Sequence, residues 1–240
     1  MPVVSLVSSK GGVGKTTAAL LLSTGLADAG VRVAVVDADP NQPLVAWANF
    51  AGEAVPAPLT VRGDVDENTI LDVIEALSAE FQVVVIDTQG AGNLTSAYAV
   101  SVSDLVLVPL QASPLDGREG MKTVSLVKRQ RKVTSRPIPC MAVWQRANAA
   151  IETGSAKDVR KQFAEADVPF LETKLVDREP FKTMYREGET LARLEEREPS
   201  NSSIRKAREN AWTFALEVIK LVKAKEPFDE RQVASHHALG

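Results

Sequence analysis

The chain has 240 residues, with 28 Lys and Arg against 31 Asp and Glu, a net charge of −3 at pH 7 and 45% hydrophobic residues. That size and composition fit one α/β domain with a sizeable core, and the balance of charge gives no general attraction to nucleic acid, so any such contact needs a local patch. The single cysteine, Cys140, excludes an intramolecular disulfide and a cysteine-rich metal site, and no run of about 18 apolar residues is present to span a membrane.

In chain order, short apolar runs at 3–8, 32–37, 82–87, 104–109 and 138–144 read as strands, with a further short strand at 59–62. Helical patterns fall at 15–29, 42–50, 67–80, 93–101, 115–134, 151–167 and 203–224, with a short helix near 180–187 in an otherwise irregular 171–200. Strands alternating with helices predict a mainly parallel, twisted sheet with helices on both faces. The expected organisation is one domain over 1–225 and a polar tail over 226–240, in which His236 and His237 read as a tail remnant. The sequence opens on a strand with no basic leader before an apolar segment, so a cytoplasmic protein is expected.

Residues 8–17 read Ser-Ser-Lys-Gly-Gly-Val-Gly-Lys-Thr-Thr and lie between the first strand and the first helix. This is a phosphate-binding loop, although Ser9 stands where the general pattern has its first glycine. Gly11, Gly12 and Gly14 let the backbone approach phosphates closely, with Val13 between them, and the following helix points its positive end at the same place. Lys15 is the candidate ligand for the β- and γ-phosphates, Thr16 for Mg²⁺ and Thr17 for the α-phosphate. Two further strands end in carboxylates, at Asp37-Ala38-Asp39-Pro40 and at Asp87. A carboxylate there serves either as a helix cap or, beside a phosphate loop, in metal and water chemistry. On the second reading Asp87 and Asp37 belong to the metal shell and Asp39 polarises the attacking water.

The loop from Lys10 to Thr17, the Asp37–Gln42 segment and the Asp87 strand together resemble the ParA/MinD family of deviant Walker A ATPases. Ser103–Asp116 is similar to the strand and loop of small ParF-type partition ATPases. Asp177-Arg178-Glu179-Pro180-Phe181, with Met184 and Gly188, is similar to related ATPases that assist T-DNA transfer. The resemblance implies the P-loop NTPase fold, ATP and Mg²⁺ as ligands, slow intrinsic hydrolysis and a homodimer formed on ATP binding. It makes Lys10 a residue that reaches the partner subunit's phosphates, and catalytic together with Lys15 and Asp39. Gln145, Arg146 and Asp177 with Arg178 are candidate adenine contacts by position. Asp87-Thr88-Gln89-Gly90 lacks the proline pair common after that aspartate, and Asn41 stands where glutamine is usual.

The family's partition members bind DNA non-specifically as ATP dimers and are released when a ParB-like or small adaptor protein stimulates hydrolysis, so nucleoid association in the ATP state is implied. Two basic clusters suit such contacts. One comprises Arg118, Lys122, Lys128, Arg129, Arg131, Lys132 and Arg136, opposed only by Glu119. The other comprises Arg205, Lys206, Arg208, Lys220, Lys223 and Lys225 on a helix whose apolar face is core. Only two residues precede the first strand, so no N-terminal helix-turn-helix is expected. The alternatives are a MinD-like membrane-positioning ATPase, for which the 226–240 segment is a poor anchor, and a metabolic P-loop enzyme.

Overall fold

The structure, a computed structural model, describes residues 1–90, 92–148 and 153–223. Six strands form one sheet: β1 (Val3–Leu6), β2 (Val33–Ala38), β3 (Leu59–Arg62), β4 (Val83–Thr88), β5 (Leu105–Leu110) and β6 (Cys140–Trp144). Every pairing is parallel and the order is β3-β2-β4-β1-β5-β6. The inner strands are buried along their whole length, which is why they are near-continuous Val/Ile/Leu runs with no polar alternation. The chain leaves β1 for β2 on one side and later returns to β5 on the other. The order therefore reverses at β1, and ligands in open parallel sheets bind at such a switch point, beyond the strand carboxyl ends.

Alternate strand residues face opposite layers. Val4, Leu6, Val33, Val35, Val83 and Val85 pack against α1 (Lys15–Asp28), α2 (Pro43–Ala51), α7 (Glu179–Glu187), α8 (Leu191–Arg197) and α9 (Ser202–Lys223). Ala34, Val36, Val84 and Ile86 meet α3 (Ile70–Glu80) and Ala99 of α4 (Leu94–Val102). Val106, Val108 and Leu110 meet α5 (Pro114–Thr134) and α6 (Gly154–Ala164). The predicted helices on both faces are present.

Caps set several boundaries. Ser113 Oγ accepts the Asp116 N–H at the start of α5, with Pro114 in its first turn, and Asn93 does the same for α4. α3 begins at Ile70, later than the expected 67, because Asp66 Oδ1 accepts the Asn68 and Thr69 N–H groups in a local turn. α6 begins at Gly154, after the cap Thr153; the expected start at 151 lies outside the described residues. The sequence reading missed α8. It is seven residues long, capped by Thr190 and anchored by buried Leu191 and Leu194. Gly188 separates it from α7. Its φ of +65° is left-handed, and a Cβ there would stand 2.8 Å from Phe50 Cδ1, so this turn needs glycine on both counts. The tail 226–240 and Lys225 lie outside the described residues.

Asp28 ends α1 in a largely buried position near Arg208 and Glu196. Burial pushes its pKa up to about 6, against the pull of Arg208. The folded state therefore holds a proton that the unfolded chain releases near pH 4, so this group's contribution to stability falls between about pH 4 and pH 6. Asp28→Asn is expected to raise stability by about 2 kcal/mol at pH 7.5 and to leave it unchanged at pH 4, as measured by urea denaturation.

Candidate functional site

The loop after β1 lies across the carboxyl ends of β1, β2 and β4. Gly12 and Gly14 have φ of +73° and +104°, and Gly14 leads directly into α1. The Gln145 side chain lies over Gly14, with Oε1 2.8 Å from where a Cβ would stand. Val13 is buried and anchors the loop. Ser9, the departure from the general pattern, has a use: its hydroxyl donates to the carbonyl of Glu119 at 2.7 Å and to the Glu119 carboxylate at 2.8 Å. Gln111 Nε2 donates to the Gly12 carbonyl at 3.5 Å. The loop is thereby fastened to the β5–α5 segment.

Lys15 is buried, and its ammonium donates only a long 3.4 Å bond to the Lys10 carbonyl. Burial lowers its pKa, opposed by Asp87 and Asp39. Asp87 pairs in register with Leu6 of β1 and with Asp37 of β2. Both its carboxylate oxygens are buried without a hydrogen-bond partner among the described residues, although the Thr16 hydroxyl faces them. Burial pushes its pKa up to about 7. An unpaired buried carboxylate beside a threonine hydroxyl is chemically suited to a hard cation. No group of three or more His, Cys, Asp or Glu among the described residues could hold a metal ion, so waters or phosphate oxygens would complete any Mg²⁺ shell here. The donor set fits Mg²⁺ held jointly with a nucleotide.

Asp37, expected in the metal shell, also serves the backbone. Its Oδ2 accepts the N–H groups of Leu44 at 2.7 Å and Val45 at 3.1 Å, and its Oδ1 accepts that of Asp39 at 3.4 Å. It closes the N-terminus of α2, the capping alternative for strand-end carboxylates. Asp39 is half-exposed, and its Oδ1 accepts from the Asn41 backbone and side chain. Lys10, expected to reach outward, is folded back: its ammonium donates to both oxygens of Asp116 at 3.1 Å. The Asp116 side chain is 2% exposed and also bonded to the Ser113 hydroxyl.

A cavity of about 290 Å³ runs from Gly14 and Thr17 past Gln145 and Arg146 to Asp177, Arg178, Phe181 and Tyr185. The expected base contacts thus come together at one place, within reach of the loop. Tyr185 was missed by the sequence reading. Its spacing from Phe181, four residues on one helix face, was the available signal.

The basic clusters are split by their partners. Lys128, Arg129 and Lys132 are exposed on α5, whereas Arg131 Nε donates to the Ile138 carbonyl, Arg136 pairs with Asp104 and Lys122 with Glu119. Arg205 and Lys206 are exposed on α9, but Arg208 is bound to Glu195 at 2.7 Å. Arg131 and Arg208 therefore have structural duties inside the chain. No helix among the described residues is long and apolar enough to cross a membrane.

A profile of the VirC1 protein family matches residues 1–225. Protein ParA of Rhizobium radiobacter is 34% identical over 220 residues, covering 92% of this chain and 97% of that protein. Among solved structures, apo McdA of Cyanothece superposes with a TM-score of 0.66 at 18% identity, covering 88% of this chain and 99% of that one. MinD of Pyrococcus horikoshii complexed with Mg-ADP gives 0.66 at 21% identity, with 95% and 99% covered. The shared fold is the P-loop NTPase fold expected from the sequence.

The capping role of Asp37 has a measurable consequence. Asp37→Ala leaves the Leu44 and Val45 N–H groups unpaired and is expected to cost about 1–3 kcal/mol of stability in urea denaturation without nucleotide. A loss of Mg²⁺-dependent nucleotide affinity at unchanged stability would instead return Asp37 to the metal shell.

Proposed function

The chain belongs to the VirC1/ParA family, and from that premise we propose that it is a partition-type ATPase that uses ATP and Mg²⁺ to join two copies on DNA and hydrolysis to separate them. The observation that carries this reading is the juxtaposition of a desolvated Lys15 and an unpartnered Asp87 carboxylate under the glycine loop. Each is a costly buried charge by itself. A phosphate chain with its cation supplies the missing partner of both.

The residues divide the work as follows. The loop N–H groups and the N-terminus of α1 would bind the phosphates, with Lys15 on the β- and γ-oxygens. Thr16 and Asp87 would hold Mg²⁺, which offsets the phosphate charge. Asp39, at the half-exposed mouth of the site, would orient water for attack. Asp37 fixes the strand end from which Asp39 projects. The cavity lined by Gln145, Arg146, Asp177 and Arg178 would take the base.

Lys10 explains why the dimer would require ATP. In the single chain its charge is neutralised by Asp116. Reaching a partner's phosphates means leaving that carboxylate, an exchange favoured only when the γ-phosphate adds negative charge at the interface. Within one subunit the set of catalytic groups is incomplete, so unstimulated hydrolysis would be slow, and a ParB-like or small adaptor protein would accelerate it. DNA contact would use Lys128, Arg129 and Lys132 on α5, and Arg205 and Lys206 on α9. The cargo would be a plasmid, a chromosome region or a protein cluster.

The test is binding to a non-specific duplex at low salt with ATP and with ADP. Binding in ATP alone, weakening as salt rises, is expected; equal binding in both nucleotides, or none, sinks the proposal. Lys15→Ala should abolish nucleotide binding in calorimetry. Asp39→Ala should bind ATP normally, hydrolyse it at least about tenfold more slowly, and persist as a dimer in analytical ultracentrifugation. Asp116→Asn should tighten the ATP dimer roughly two- to fivefold, because Lys10 no longer leaves a full charge behind.

A further inference from the structure

Three of the residues that line the 290 Å³ cavity each carry a buried polar atom with no hydrogen-bond partner among the described residues: Gln145 Nε2, Arg178 Nε and Tyr185 Oη. The first two lie in segments already read as base contacts. Tyr185 does not: it sits on α7 one turn beyond Phe181, partly buried and packed against the core. Its hydroxyl faces that of Thr17, but the two do not meet hydrogen-bond geometry. Burial, reinforced by Asp87, raises its pKa, so the phenol stays protonated and remains a donor.

The position is not slack. The carbonyl of the preceding residue, Met184, accepts the Trp47 indole N–H at 3.0 Å. Gly188, at the end of α7, packs directly on Phe50 and Ala51 of α2. α7 is thus fixed to α2, which Asp37 in turn fixes to the end of β2. A donor held this firmly without an acceptor awaits one from outside the chain. Thr17 and Gly14 mark the phosphate end of the cavity, and Asp177 and Arg178 mark the far end.

Resting on the nucleotide reading above, we propose that Tyr185 is a nucleotide-binding residue whose hydroxyl donates to the ribose–α-phosphate portion of the bound nucleotide. The contact lies away from the γ-phosphate, so it serves ADP and ATP alike. Its loss changes affinity without changing the preference between the two.

The experiment is isothermal titration of wild type and Tyr185→Phe with ADP and with ATP, each with Mg²⁺, alongside urea denaturation of the nucleotide-free proteins. Phenylalanine keeps the ring and removes only the unpaired hydroxyl. Affinity for both nucleotides should fall about five- to tenfold, while nucleotide-free stability stays equal or rises, since a buried unpaired group has been deleted. Unchanged affinity overturns the proposal. So does a loss of affinity matched by a loss of nucleotide-free stability, which marks a merely structural hydroxyl. If wild type binds neither nucleotide, the reading of the whole site fails, an outcome distinct from failure at Tyr185 alone.

Discussion

Charge without water at the end of a parallel sheet is the constraint on which this molecule is organised. β1, β2 and β4 bring Asp37 and Asp87 side by side in register, with Lys15 above them and almost no solvent between. Burying such groups is expensive unless each finds a partner. Asp37 finds two amides of α2. Asp87 and Lys15 find no equivalents among the described residues, and burial shifts all three groups towards neutrality, Asp37 in spite of its amides. The sheet supplies the rigidity that keeps these groups together: its inner strands are buried on both faces and cannot relax to let water in. Binding energy for a polyanion and its cation is thereby held in reserve in the folded chain.

Much of the fold was legible because periodicity and caps agree with it. The apolar runs ending at Asp37 and Asp87 are too short for helices and too uniform for an exposed sheet, and both are inner parallel strands. Ser113 before Pro114 marks the start of α5, as local capping chemistry predicts. What escaped the sequence depended on contacts between distant segments. α8 is too short for a periodic signal and is held by Leu191 and Leu194 against α9 and its neighbours. Ser9 looked like a defect in a glycine pattern until its bond to Glu119, more than a hundred residues away, gave it a purpose. The candidate site was legible as a set of residue types, but which of Asp37 and Asp87 accepts the amides of α2 was not. The same residue type ends two neighbouring strands, and only the entry angle of α2 tells the cap from the open carboxylate.

The Asp39 loop and the cavity are linked through a side chain that no motif contains. Trp47 lies in α2, the helix directly after the Asp37–Asp39 turn, and bonds the backbone of α7, where Phe181 and Tyr185 line the wall. The Asp39 loop and the cavity therefore share a support. A change of position at one can be felt at the other through packed, bonded contacts, without any rearrangement of the sheet.

The fastening of the phosphate loop to α5 has a mechanical meaning. Ser9, Lys10 and Gly12 all bond to the segment at the N-terminal end of that helix, and its exposed basic residues Lys128, Arg129 and Lys132 sit near the other end. At 1.5 Å per residue, a helix of 21 residues is a rod about 30 Å long. Pivoted at the loop, a tilt of roughly 10° would carry the basic end through about 5 Å, more than the width of a hydrogen bond and close to the rise of one helical turn. An adjustment of the loop too small to disturb its own backbone would thus be magnified into a displacement large enough to make or break contacts on the outer surface.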